Sequence, residues 1–348
     1  MLSLPISIYP NVTHLYFKFM SKIEDTIKAR AEWNARFGLS NVNDLNAAIR
    51  AGRAGDIIRT TEALQEKHLA AIAEEIASRP EIRIILLAGP SSSGKTSTSK
   101  RLAIQLMTCL KRPVALSMDN WFVNREDTPL DENGEKDYES VYAMDLRQFN
   151  RDLQDLIAGK EIKLPTYNFH SGRREYHGQK LRLADDNLLI IEGIHALNPV
   201  LTDSIPAKNK YLVYASALTA LQLQEGVRIS TSDNRLIRRL CRDYSTRGCS
   251  AESTLSRWPS VRRGEEKWIF PFQENAYAVF NTAMVYELAA LHPKALHVLN
   301  EVPFNSPCYD EAQRLLKFLA YFTPIPDDEI PKNSLLREFI GGSVFDVG

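Results

Sequence analysis

The sequence predicts an α/β fold, a three-layer sandwich built on a parallel sheet and preceded by a helical segment. Three observations lead there. The runs "IRIILLAG", "PVALSMD", "NLLIIEG" and "KYLVYAS" are short and continuously apolar, as strands buried on both faces must be. Stretches with helical spacing separate them, the alternation that builds a parallel sheet with helices on either side. And the first run leads straight into "GPSSSGKT", residues 89–96, which has little value for building a core.

Taken in order, residues 1–80 read as a mostly helical lead-in. "SKIEDTIKARAEWNARFG" opens with a capping-box pattern, Ser21 to Glu24, and stops at Gly38. Ile23, Ile27, Ala31 and Asn34 fall on one side. "TTEALQEKHLAAIAEEIASRP" carries Leu64, Ala71, Ile72 and Ile76 on one face and ends before Pro80. The apolar start "LSLPISIYPNVTHLYF" suits a strand or an interface piece. Residues 81–348 form the main domain. A helix over roughly 95–110 follows the first strand, with Leu102, Leu106 and Leu110 in register. "AYAVFNTA" makes a fifth strand. An insertion, about 124–184, holds the helix "DLRQFNRDLQDLIAG" and the extended pieces "EIKLPTYNF" and "QKLRLAD".

Residues 89–96 match the P-loop pattern G-x-x-x-x-G-K-[ST], and the strand before and helix after are the context it requires. Such a turn aims successive N–H groups at phosphate oxygens, helped by the positive end of the helix. The expected nucleotide contacts are Gly89, Ser91, Ser92, Ser93, Gly94, Lys95, Thr96 and Ser97. Lys95 is a mobile charge for the β- and γ-phosphates, and the Thr96 hydroxyl is placed for Mg²⁺. The expected cofactors are therefore ATP or GTP, with Mg²⁺, and the fold class is that of the P-loop NTPases.

Two carboxylates stand at strand ends, where parallel sheets open onto their ligands. Asp119 ends the second strand, in position to accept the proton of an attacking hydroxyl. Glu192 ends the third, at the site where a carboxylate steadies Mg²⁺. Downstream, "STSDNRLIRRLCRDYSTRG" puts Leu236, Leu240 and Tyr244 on one helix face and Arg235, Arg239 and Arg242 on another, with Arg247 before Gly248. Phosphoryl transfer needs such cations. "WPSVRRGEEKWIF" adds Arg262 and Arg263 in a Pro/Gly-flanked segment, read as part of a mobile lid spanning about 245–265.

Composition narrows the function. Of 348 residues, 43 are basic and 43 acidic, which argues against a nucleic-acid-coating or membrane-surface protein. No apolar run reaches the length of a membrane span, and no basic leader precedes the apolar start. The four cysteines, Cys109, Cys241, Cys249 and Cys308, lack metal-ligand spacing and fit reduced thiols. A cytoplasmic protein is expected.

Taken together, "GPSSSGKTSTSKRL", "SMDNWF", "DYESVYAMDL", "LPTYNF", "LLIIEGIHALNP", "RISTSDNRLIRRLCRDYSTRG" and "WPSVRRGEEKWIFPFQ" resemble the uridine kinase and phosphoribulokinase family, in its order, over roughly residues 85–285. The nearest likeness is to the kinase half of long bacterial uridine kinase-like proteins, whose ending "LLREFIGGSVF" also resembles. The resemblance implies that Asp119 is the catalytic base and Glu192 the carboxylate near Mg²⁺. It implies that Glu139 takes the place of a ribose-holding Asp, and that Tyr167 and Phe169 border a nucleobase. It also implies a homo-oligomer. Two positions depart from the family pattern. His170 comes too early to match the base-contacting His, and Cys249 stands where the family's lid has a second Arg.

The resemblance thus implies ATP-dependent phosphorylation of a nucleoside 5′-hydroxyl, with uridine or cytidine as acceptor. Catalytic roles fall to Asp119, Lys95, Arg239, Arg242 and Arg247. A kinase of another small alcohol, of sugar phosphate or pantothenate type, and a non-catalytic nucleotide-binding module stay open as alternatives, as does a nucleic-acid-associated ATPase.

Overall fold

The computed structural model describes residues 21–347, so the apolar start falls outside the described residues. Helix α1 (Lys22–Arg36) is capped by Ser21, whose hydroxyl accepts from the Glu24 amide at 3.1 Å. Helix α2 (Val42–Arg50), which the periodicity did not predict, has a full capping box between Asn41 and Asp44. Helix α3 (Ala54–Ala77) starts six residues before the stretch that predicted it. Its inward stripe is Ile58, Thr61, Gln65, Leu69, Ile72 and Ile76, whereas Ala71 is exposed. Two buried polar residues of this helix have partners in the sheet layer. Gln65 donates to the Asn281 carbonyl, and Glu62 accepts from the Tyr286 hydroxyl at 2.9 Å.

Strand β1 (Ile84–Ala88) is followed by α4 (Lys95–Thr108) and β2 (Arg112–Ser117). In the insertion, α5 (Leu146–Ile157) is capped by Asp145. Two small antiparallel pairs follow: β3 (Ile162–Lys163) with β6 (Lys180–Leu181), and β4 (Thr166–Asn168) with β5 (Arg173–Glu175). The chain then returns to the main sheet through β7 (Asn187–Glu192) and β8 (Lys210–Ser216). A short ribbon, β9 (Gln222–Gln224) and β10 (Val227–Arg228), leads into α6 (Thr231–Thr246) and α7 (Ala251–Trp268). Strand β11 (Ala278–Asn281), α8 (Glu287–Asn300), α9 (Tyr309–Leu319) and the short α10 (Arg337–Ile340) complete the described chain.

The predicted fold class is the observed one. The central sheet has the order β11-β8-β1-β7-β2, and every pairing in it is parallel. Its strands bury both faces. Ile85, Leu87, Ile190 and Val213 join one core, with α3, α4, α6 and α8; Ile84, Leu86, Leu189 and Ile191 join the other, with α5. This is why the strands read as unbroken apolar runs. The lead-in helices are tied to the sheet layer: Arg101 of α4, almost fully buried, reaches Glu66 at 2.9 Å and Glu62 at 3.5 Å.

The segment read as a Pro/Gly-flanked lid is a continuous helix, α7, with Pro259 and Gly264 inside it. Proline removes one backbone hydrogen bond there, but Leu255, Trp258 and Val261 are buried against the core and hold the helix together. Gly264 is needed for another reason. A Cβ at that position would lie 2.2 Å from Glu139 Cβ, so the helix rests directly on the insertion.

Candidate active site

The site forms where β1, β7 and β2 end together. The parallel register sets Leu87, Glu192 and Ser117 side by side, so the turns after these strands open onto one cleft. After β1 the chain makes its glycine-rich turn. Ser92 has φ +57° and Gly94 +84°, and these left-handed residues curl the amides into an anion-binding concavity. Gly89 has a different duty. A Cβ there would stand 2.0 Å from the Ala215 carbonyl oxygen, so only glycine lets the turn pass β8. The buried hydroxyls of Ser92 and Ser93 have no partner among the described residues, as suits groups waiting for phosphate oxygens.

Lys95, half-buried at the start of α4, donates to the Pro90 carbonyl at 3.2 Å. Burial lowers its pKa, and Arg242 adds to this, while Glu192, Asp119 and Glu338 oppose. Thr96 Oγ1 donates to Glu192 Oε1 at 3.4 Å. Asp119 lies on a short 3₁₀ turn after β2, its amide held by the Ser117 hydroxyl. Burial raises the pKa of Asp119 and of Glu192, the Asp119 charge raises that of Glu192 further, and Lys95 draws both back. A hydroxyl and two carboxylates are hard oxygen donors, the set that Mg²⁺ takes alongside water and phosphate. Among the described residues no cluster of three or more His, Cys, Asp or Glu side chains could hold a metal, and Mg²⁺ in nucleotide sites needs none.

The arginines of α6 divide into two groups. Arg239 donates to Ser91 Oγ at 2.8 Å and pairs with Asp243 at 3.1 Å; Arg242 pairs with Asp243 at 2.8 Å and Arg247 at 3.5 Å. Burial disfavours the Asp243 charge, but Arg242, Arg239 and Arg247 outweigh it and hold the carboxyl below its usual range. Arg242 and Arg247 also favour the charged form of Asp119. Arg235 and Arg238, by contrast, are buried struts. Arg238 bonds Thr282 and Glu287, and Arg235 donates to the Ser91 carbonyl and to Glu265.

Glu265, fully buried on α7, was not legible as a site residue. It accepts from the Ser91 amide at 3.1 Å and from Arg262 at 2.7 Å, besides Arg235. Arg262 is therefore engaged with Glu265, and Arg263 is exposed on the helix instead of facing the turn. At the other end of the loop a second carboxylate intervenes. Glu338, from α10, accepts from the Ser97 amide at 3.2 Å and from its hydroxyl at 2.7 Å. Two of the amides expected to meet phosphate, those of Ser91 and Ser97, are thus held by carboxylates.

Glu139 sits beside Arg239, Glu265 and Lys95, with one carboxylate oxygen buried and unpartnered. Burial pushes its pKa up to about 7. Tyr167 and Phe169 belong to the β4–β5 hairpin; their rings are 5.1 Å apart, and Tyr167 is 5.6 Å from Phe122. The Tyr167 amide donates to the Asn120 side chain at 3.3 Å, which fastens this aromatic wall next to Asp119. His195 is buried without a side-chain partner, and burial lowers its pKa to about 4, so it stays neutral.

A model described as the phosphoribulokinase / uridine kinase family matches residues 84–289. A uridine kinase of Staphylococcus aureus strain JH9 is 30% identical over 181 residues, 52% of this chain and 77% of that one. Solved structures similar to this chain include a possible uridine kinase from Bacillus stearothermophilus, 17% identical, covering 57% of this chain and 88% of that one with a TM-score of 0.38. Another is a D-glycerate 3-kinase from Cryptococcus neoformans, 11% identical, covering 60% and 89% with a TM-score of 0.43. No helix among the described residues is long and apolar enough to cross a membrane.

Proposed function

From its place in the phosphoribulokinase / uridine kinase family, to which this chain belongs, we propose that it transfers the γ-phosphoryl group of ATP to the 5′-hydroxyl of a nucleoside. The observation that carries this reading is the convergence of Asp119, Glu192, Thr96 and Lys95 at the mouth of one amide-lined turn. A turn of this kind holds phosphates. An aspartate at its open end gives the acceptor hydroxyl a base.

In this mechanism the loop amides and Lys95 hold the triphosphate, and Thr96 and Glu192 hold Mg²⁺, which neutralises phosphate charge when bound. The acceptor lies between Asp119 and the Tyr167–Phe169 wall. Asp119 takes the hydroxyl proton as that oxygen bonds to the γ-phosphorus. The bond to the β–γ bridging oxygen breaks, and ADP leaves with that electron pair. Arg239, Arg242 and Arg247, grouped on Asp243, face the charge that spreads over the transferring oxygens. Glu139 holds ribose hydroxyls from the phosphate side. Uridine and cytidine are the favoured acceptors, on the strength of the aromatic wall and of the S. aureus relative's description.

The test is an acceptor screen with purified protein and Mg-ATP, read by ADP release and product mass. Nucleoside 5′-monophosphate is the expected product. A sugar phosphate or another small alcohol phosphorylated in preference would move the acceptor class, and no product from any acceptor would overturn the reading.

A further inference from the structure

We propose that the cavity lined by the buried Arg30 of α1 is a binding site for a halide-sized monovalent anion, which fastens the lead-in helix to α6 and α8. The proposal is independent of the kinase reading.

The argument starts from an unbalanced charge. The two buried residues of α1 are both polar, Arg30 and Asn34, one helical turn apart. Arg30 is only 6% exposed, and neither terminal nitrogen of its guanidinium has a hydrogen-bond partner among the described residues. Burial lowers its pKa to about 10, with the Glu287 charge opposing, so it stays charged at neutral pH. Glu287 is engaged elsewhere. It accepts from Asn234, from Arg238 and from the Met284 amide at 2.9 Å. One glutamate thus serves two buried guanidiniums, Arg238 and Arg30, and a positive charge is left over. The Trp33 ring, 5.8 Å from the Arg30 guanidinium carbon, offsets part of it. Residues 1–20 contain no Asp or Glu, so their side chains bring no counter-charge.

The space sets the size of the occupant. Arg30, Asn34 and Asn234 line a cavity of about 20 Å³, with apolar walls from Leu221, Leu288 and Phe322. A single water needs about 10–15 Å³ of such space. A halide ion is little larger than water, whereas phosphate and nucleotides are far too big. Water would satisfy the free N–H groups and leave the surplus charge in place. A halide answers both needs. Asn34 Oδ1 is also unpartnered, and turning this amide over presents its NH₂ group to the anion. Asn234 is fixed by its bond to Glu287, so its unpartnered Oδ1 is the one group that the anion does not serve.

The experiment follows urea unfolding of the full chain in sodium chloride and in sodium gluconate, whose anion is too large for the cavity, at equal ionic strength. The expected result is a stabilisation by chloride that saturates. At a chloride concentration about nine times the dissociation constant, the unfolding constant falls about tenfold. Arg30→Met, which keeps an unbranched side chain without the charge, loses the difference between the two salts. A crystal of the wild type grown in bromide shows anomalous scattering in contact with the Arg30 guanidinium. Equal stability of the wild type in both salts overturns the site, as does a salt difference that survives in Arg30→Met. So does a bromide crystal with water alone beside Arg30, and this crystal decides the matter if the variant does not fold.

Discussion

Thr96 Oγ1 lies 3.4 Å from Glu192 Oε1, joining the first turn of α4 to the end of β7. Two elements far apart in the chain thereby place a hydroxyl and a carboxylate on one small volume, next to Asp119. The predictions below follow from that volume and from the carboxylates around it.

Asp119→Asn lowers kcat by about 10²–10⁴, the contribution of a general base, while ATP affinity is retained. Lys95→Ala removes most activity with every acceptor. In the wild type, burial raises the Asp119 pKa, so kcat/KM falls on the acid side with an inflection above the ordinary carboxylate range. Steady-state kinetics across pH checks both. Full turnover by the Asn variant would remove Asp119 from the role of base.

Glu265→Gln destabilises the fold by about 3–5 kcal/mol, because it leaves the Arg235 guanidinium buried without its counter-charge. Urea unfolding measures this. A cost under about 1 kcal/mol, the range of exposed pairs, would show that the contact is not structural.

The stability of the free protein carries a pH signature from Glu139. Its pKa is about 7 in the folded chain against 4.5 ordinarily, so the folded state keeps a proton that the unfolded chain has released. The resulting stabilisation is fully present below 4.5 and is lost as pH rises through about 7. Glu139→Gln flattens that part of the curve. Denaturation midpoints at several pH values decide it; parallel curves for the two proteins would reject it.

Glu338→Gln tightens tripolyphosphate binding by at least about tenfold. It removes a negative charge from the amide and hydroxyl of Ser97, and a like charge at about 4 Å is worth roughly 4 kcal/mol near a protein surface. Titration of the variant against the wild type measures it. Weaker binding would instead mark the carboxylate as a helper of the phosphate chain.

The central strands, α4 and the phosphate turn were legible because each rests on a local rule: unbroken apolar runs, helical spacing, and glycines where φ turns positive. The meeting of Asp119 and Glu192 was legible because parallel strands put their ends on one side of the sheet, and Thr96 was legible from the P-loop pattern. Glu265 and Glu338 were not, since each meets the turn from far along the chain, 174 and 241 residues away, and nothing nearby in sequence marks either one. The α6 arginines show the same limit from the other side. Helical spacing grouped Arg235 with Arg239 and Arg242, but only the packing of Glu265 on α7 sets Arg235 apart as a buried strut. Helix α2 escaped for a local reason: its short apolar pattern, Val42, Leu45 and Ala48, is too brief to stand out.

Both faces of β1 are equally oily, so hydrophobicity alone would tolerate its sliding one residue along its neighbours. One obstacle to the slide is Gly89, which has no side chain at the spot where the Ala215 carbonyl crowds the backbone. Move any other residue there and the strands collide. The close approach at Gly89 thus serves the sheet as well as the turn, and a side chain there would press β1 against β8 as well as disturb the turn.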